Sequence, residues 1–134
     1  MLLVDASVWL KLEQAREQYH EAARSIVLGQ KQPVAALDLT LYEVANVAVR
    51  MMGQPQRARY LSRLIFTRCG EQIVRIDEQL TTEAAEVAAE HSLTAYDAAY
   101  VAAAQRNGWT LVSADIADLV SKGLAVTPDA AVYP

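Results

Sequence analysis

The chain opens on an apolar run without polar alternation, Leu2-Leu3-Val4, which stops at Asp5. Such a run predicts a strand buried on both faces of a parallel sheet. The apolar period then changes. Trp9, Leu10 and Leu12 predict a helix over 7–12, and the polar stretch Glu13 to Tyr19 reads as a connection. Ala22, Ala23, Ile26 and Val27 share one face of a helix from His20 to Leu28, with Gly29 as its C-cap. Pro33 precedes a second strand, Val34 to Leu37. Leu41, Val44, Ala45, Val47, Ala48, Met51 and Met52 give a broad apolar face to a long helix that starts at Asp38 or Thr40 and ends near Gly53.

Pro55 opens a basic amphipathic helix over Gln56 to Thr67, and Ile73 to Ile76 reads as a third strand. Asp77 is placed to cap a helix from Glu78 to His91. Thr94 to Asp97 fits a capping box that starts an alanine-rich helix running to Arg106, where Asn107-Gly108 ends it. Trp109 to Val112 is the fourth strand, followed by Ser113-Ala114-Asp115, a short helix from Ile116 and a last strand near Leu124 to Val126. Strands alternating with helices predict an α/β fold of three layers, α/β/α, with a central, mostly parallel sheet and right-handed crossovers. One domain is expected over residues 1–134.

Composition narrows the class. With 53% apolar and 21% charged residues the chain is globular. No apolar run approaches the roughly 18 residues that span a bilayer, and no basic segment leads into a signal-type apolar stretch. The lone Cys69 excludes an internal disulfide, so a reducing cytoplasm is expected. A net charge of −4 argues against holding nucleic acid by bulk electrostatics, unless several acids share a cation that cancels part of it.

Four acids stand apart from the solvated ones. Asp5 and Asp115 each end an apolar strand, at the sheet edge where open α/β folds bind ligands. Glu43 interrupts the apolar helix, and Asp97 lies in the first turn of the alanine-rich one, flanked by Ala95, Ala98 and Ala99. Helix starts lie at the same edge as strand ends, so Asp5, Asp97 and Asp115 should converge there, and Glu43 should reach them from early in its helix. Asn46 follows Glu43 at i+3. Each acid also has a plain structural use. Asp5 or Ser7 suits a helix cap, Asp97 a capping box, Asp115 with Asp118 the cap of the last helix, and Glu43 an ion pair with an arginine. Carboxylates crowded together need a cation. All the donors are oxygens, and His20 and His91 sit in ordinary helical settings expected at the surface, so Mg²⁺ or Mn²⁺ is expected and zinc is not.

The segments Leu3-Val4-Asp5-Ala6-Ser7, Tyr42-Glu43-Val44-Ala45-Asn46, Tyr96-Asp97-Ala98-Ala99-Tyr100 and Leu111-Val112-Ser113-Ala114-Asp115 together resemble the PIN-domain ribonucleases, most of all the compact VapC-type toxins of toxin–antitoxin pairs. By that resemblance Asp5, Glu43, Asp97 and Asp115 match the metal-binding acids. Ser7 matches the small hydroxyl residue after the first Asp, and Asn46 the residue that often follows the Glu. Ser113 stands where threonine is commoner. The resemblance implies Mg²⁺-dependent cleavage of single-stranded or loop RNA by a homodimer that a cognate antitoxin inhibits. Asp5 and Asp97 would be direct ligands, Glu43 would ligate or orient the attacking water, Asp115 would complete the shell, and Ser7 would position water or phosphate.

Six arginines, Arg50, Arg57, Arg59, Arg63, Arg68 and Arg75, are opposed in their interval only by Glu71. Arg59 and Arg63 share a helix face and are expected to hold RNA phosphates or an acidic antitoxin segment, the plain alternative being a solvated face. The apolar faces over Leu41 to Met52 and Leu61 to Phe66 exceed a single buried stripe, which predicts contact with a second copy or an antitoxin.

Other classes fit less well. A phosphoaspartate receiver needs adjacent acids near Asp5 and a lysine after the last strand, whereas Lys122 precedes it. A haloacid-dehalogenase-like phosphatase needs an acid where Ser7 stands, and a dinucleotide domain needs a glycine-rich turn. A PIN fold used only for binding, and a PIN ribonuclease without an antitoxin, are the alternatives.

Overall fold

Four parallel strands lie in the order β3-β2-β1-β4 in the computed structural model, which describes residues Met1 to Tyr133. In chain order the elements are β1 (Leu2–Val4), α1 (Ala6–Leu10), α2 (His20–Leu28), β2 (Val34–Leu37), α3 (Asp38–Arg50), α4 (Pro55–Cys69), β3 (Ile73–Val74), α5 (Glu78–His91), α6 (Ala95–Asn107), β4 (Thr110–Val112) and α7 (Pro128–Val132). Leu2 pairs with Val34 on one side and Thr110 on the other, so β1 is central and buried, as its unbroken apolar run requires.

Alternation along the strands divides the core into two layers. Leu2, Val4, Val34, Ala36 and Val112 face Val8, Trp9, Ile26, Val44, Leu61 and Ile65 from α1 to α4. Leu3, Ala35, Leu37 and Leu111 face Leu80, Ala84 and α6. Trp9 is fully buried, and its indole Nε1 donates to the Val4 carbonyl at 3.3 Å. Every residue of α6 from Ala98 to Ala104 is buried, which its alanines allow by letting the helix lie close to both the sheet and α5. Gly108 ends α6 at φ +68°, the left-handed conformation that glycine adopts without a Cβ penalty.

Several expectations need adjustment. The fifth strand is a single parallel bridge between Val112 and Val126, after which the chain turns into α7. The third strand keeps only Ile73 and Val74, because the Ile76 amide leaves the sheet to donate to Asp38 Oδ2 at 3.2 Å. The apolar surfaces of α3 and α4 are mostly consumed by packing. Val44, Ala48, Leu61 and Ile65 are fully buried, and the exposed remainder is Tyr42, Val49, Met51, Tyr60 and Phe66. Neither histidine is a free surface residue. The His20 Nδ1 lies 2.7 Å from the Lys11 carbonyl, tying the start of α2 to the end of α1, and His91 is half-buried. No helix among the described residues is long and apolar enough to cross a membrane.

Candidate active site

Sheet order fixes where a ligand can enter. The chain moves from β1 outward to β2 and β3, then returns to the opposite side for β4. The order therefore reverses between β1 and β4, and the crevice at their carboxyl ends is the place where open α/β sheets bind ligands. Asp5 leaves β1 there and Ser113-Ala114-Asp115 leaves β4.

Asp5 is 5% exposed. Its side chain accepts from the Val8 amide at 3.3 Å, capping α1, and from the Ser7 hydroxyl. Ser7 Oγ in turn accepts from the Ala114 amide at 2.9 Å and lies 3.4 Å from Ser113 Oγ, while Ser113 Oγ accepts from the Asp115 amide at 3.0 Å. The two serines thus join the strand ends into one platform. Burial pushes the Asp5 carboxyl up to about 6; hydrogen bonds from Ser113, Ser7 and Val8 pull it down, and the Glu43 charge adds to the rise.

Glu43 is half-buried on α3, and its Oε1 accepts from the Tyr100 hydroxyl at 2.6 Å. Desolvation holds its carboxyl above the ordinary value, Tyr100 lowers it, and Asp97 raises it again. Asp97 lies in the first turn of α6, whose start is capped by Thr94 accepting the Asp97 amide at 3.1 Å. Its carboxyl is raised first by desolvation, then by Asp115 and Asp118, with Thr94 and Lys122 acting in the other direction. A line of mutual repulsion therefore runs from Asp5 through Glu43 and Asp97 to Asp115 and Asp118.

Oxygens of Asp97, Asp115 and Asp118 lie within 4.8 Å of one another, a spacing a single divalent cation can bridge. Asp118 is the acid that sequence reasoning assigned only to capping. It enters the cluster because residues Ile116–Val120 form a π-helical turn, with the Val120 amide donating to the Asp115 carbonyl at 3.1 Å. Asp115 does cap that turn, accepting the Asp118 amide at 3.0 Å, and it also belongs to the carboxylate cluster. The donors are hard oxygens, partly desolvated and repelling one another, and they fit a divalent cation.

The supporting residues divide. Ser7 and Ser113 stand in the site. Asn46 is exposed, lines a surface groove with Tyr42, Ala45, Val49 and Arg50, and makes no hydrogen bond to an acid among the described residues. Arg59 lines a neighbouring groove with Asp38, Tyr42 and Ser62, and Arg63 is exposed on the same helix. Two of the six arginines leave the basic surface altogether. Arg57 Nη2 donates to Glu13 Oε2 at 2.7 Å, and Arg68 clamps the Gln32 carbonyl at 2.6 Å. Cys69 is buried, its thiol pushed up to about 12 by desolvation, and takes no part in the site. Tyr100 was missed as a site neighbour; its only sequence signal is that it follows Asp97 by three residues on one helix face.

Residues 2–118 match the family model of the PIN domain. The chain belongs to the PIN-domain family. It is 32% identical over 118 residues to ribonuclease VapC3 of Pyrobaculum aerophilum, covering 85% of this chain and 88% of that one. Among solved structures, its fold is similar to the Mycobacterium tuberculosis toxin VapC20, described as cleaving the sarcin–ricin loop, with a TM-score of 0.76 at 19% identity over 92% of this chain and 95% of that one. It is also similar to a chain of a toxin–antitoxin complex from Klebsiella pneumoniae, with a TM-score of 0.71 at 22% identity over 96% of this chain and 98% of that one. Of the four acids singled out in the sequence, Asp97 and Asp115 share the close cluster with Asp118, while Glu43 neighbours Asp97 and Asp5 neighbours Glu43.

Proposed function

We propose that this PIN-domain protein is a metal-dependent endoribonuclease and the toxin of a toxin–antitoxin pair. The observation that carries the reading is the line of coupled carboxylates at the reversal between β1 and β4, in a chain related to a named ribonuclease. Asp97, Asp115 and Asp118 would hold one cation, with Glu43 coupled to Asp97 and Asp5 coupled to Glu43. Mg²⁺ is the expected metal and Mn²⁺ a substitute, because every donor is a carboxylate oxygen. A cation bound there supplies a water of lowered pKa and charge neutralisation for a phosphodiester.

The chain's own part is positioning. The Ser7 and Ser113 hydroxyls hold Asp5 and the 113–115 loop in fixed relation. Arg59 and Arg63, which are exposed and have no ion-pair partner among the described residues, would meet RNA phosphates. Cytoplasmic action as a homodimer restrained by a cognate antitoxin is the expected setting, and the likeness to a chain of a toxin–antitoxin complex supports the antitoxin.

The test is cleavage of a single-stranded or looped RNA oligonucleotide by the purified chain, with Mg²⁺ and with chelator. Cleavage that needs the metal and disappears in Asp5→Asn supports the reading. RNA binding without cleavage under every metal would replace it with a binding module. Co-expression of the neighbouring small reading frame should suppress cleavage and toxicity together.

A further inference from the structure

Two buried hydroxyls have no place in the chemistry above. Thr40 is fully buried and Tyr100 is 2% exposed. Their oxygens are 2.7 Å apart, and Tyr100 Oη lies 2.6 Å from Glu43 Oε1. The direction of this chain follows from counting protons. A carboxylate only accepts, so the single phenolic proton of Tyr100 is committed to Glu43. Tyr100 must then accept from Thr40, whose one proton is committed to Tyr100. A helical threonine ordinarily turns its hydroxyl to a carbonyl in the preceding turn; this one turns away from its own helix towards α6.

The placement has a geometric consequence. Thr40 and Glu43 are three residues apart on α3, and Tyr100 and Asp97 are three apart on α6. The relay therefore fixes the face of α3 that bears one site acid against the face of α6 that bears another. Of the two carboxylate oxygens of Glu43 it engages Oε1. Packing alone would be served by phenylalanine and valine, which carry no buried hydroxyl to satisfy.

On the reading of these acids as a nuclease site, we propose that Tyr100 is a positioning residue, and that the Thr40–Tyr100–Glu43 relay sets the orientation in which Glu43 faces the metal and the substrate. Tyr100 touches neither. Its effect is to hold one rotamer of Glu43 and the separation of Glu43 from Asp97.

The experiment compares Tyr100→Phe, Thr40→Val and Thr40→Ser with wild type in the full chain. Steady-state cleavage of a fluorogenic RNA oligonucleotide gives kcat and KM, and electron paramagnetic resonance of free Mn²⁺ gives metal affinity without reference to catalysis. Tyr100→Phe is expected to lose about tenfold or more in kcat or Mn²⁺ affinity, the usual effect of removing a group that orients a ligand, with little change in KM. Thr40→Val should follow in the same direction, and Thr40→Ser, which restores the hydroxyl, should recover most of the loss. Unchanged kcat and Mn²⁺ affinity in Tyr100→Phe overturn the proposal. So does a Thr40→Ser variant no better than Thr40→Val, the comparison that decides if Tyr100→Phe does not fold. A wild-type chain that binds Mn²⁺ but cuts no RNA overturns the ribonuclease reading instead, and the relay is then judged on Mn²⁺ affinity alone.

Discussion

Ser7 Oγ accepts the Ala114 amide at 2.9 Å, joining the end of the first strand to the end of the fourth across 107 residues of sequence. The same hydroxyl gives its proton to Asp5. One small side chain therefore satisfies a loop amide and a buried carboxylate, and its orientation is fixed at both ends. Replacing Ser7 with Ala leaves the Ala114 amide without a partner and removes a donor from Asp5. The expected cost is about 1–3 kcal/mol, the penalty for a partly buried unsatisfied polar group, together with weaker metal binding. Chemical denaturation and Mn²⁺ titration of Ser7→Ala measure the two effects. Stability within about 0.5 kcal/mol of wild type and unchanged Mn²⁺ affinity would show that the bridge is unimportant.

Asp5 makes the apo protein sensitive to pH. Its carboxyl is pushed up to about 6 in the fold, against 3.8 in an unfolded chain, and Glu43 and Asp97 shift in the same direction. The folded state thus holds protons that the unfolded state has released. This contribution to stability is fully present below the unfolded value and is lost as pH rises through about 6. For Asp5 the loss is on the order of 3 kcal/mol. In chelator, the denaturation midpoint should fall between about pH 4 and pH 7, the interval that brackets the unfolded and folded values of Asp5. Asp5→Asn should flatten that fall, because asparagine caps α1 as well as aspartate does and carries no charge. A midpoint that rises over this interval in the wild-type chain would contradict the assignment.

What could be read from residue order was mostly local. The ends of β1 and β4 were visible because each apolar run stops at a polar residue, Asp5 after Val4 and Ser113 after Val112, with Asp115 two residues further on. The Asp77 and Thr94 caps were visible because a cap and its amide are three residues apart. The partners that complete the site are distant. Tyr100 reaches Glu43 over 57 residues, and Arg57 is withdrawn from the basic surface by Glu13, 44 residues earlier. Asp118 was hidden for another reason: it sits in the first turn of a short π-helical segment, where an acid reads as a cap, and its closeness to Asp97 is set by the tertiary fold. The last strand was overread because Leu124 to Val126 is apolar enough to pair but forms one bridge only.

Asp118 offers a clean test of the cation site. It is exposed, and it shares the Asp97–Asp115 cluster. Its amide hydrogen bond to Asp115 does not involve its side chain, so Asp118→Asn should leave the turn intact. In chelator the variant should be as stable as wild type or slightly more stable, since one repelling charge is gone. With Mn²⁺ it should gain less, because stabilisation by a ligand grows with its affinity for the folded state. Thermal shifts with and without Mn²⁺ check both signs at once. An undiminished metal shift in Asp118→Asn would remove this residue from the cluster.

The arginines of α4 should separate into two kinds. Arg57 is committed: it pairs with Glu13 and stacks 4.5 Å from the centre of the Tyr60 ring. Arg57→Ala should therefore cost stability, about 1 kcal/mol for a part-exposed bidentate pair, and leave RNA affinity near wild type. Arg59 and Arg63 are exposed and unpaired among the described residues, so the double Ala variant should melt within about 0.5 kcal/mol of wild type. Its loss should fall on RNA. Each phosphate contact with a single strand contributes a slope of about −0.7 to the dependence of log affinity on log salt. Removing both guanidinium groups should flatten that slope by about 1.4 while weakening binding evenly across sequences. Measuring RNA affinity of an uncleaved substrate in chelator, at several salt concentrations, isolates this effect from metal binding. If the slope is unchanged in the double variant but falls in Arg57→Ala, the RNA path runs over the opposite side of α4, and the basic surface assigned to Arg59 and Arg63 is a solvated helix face.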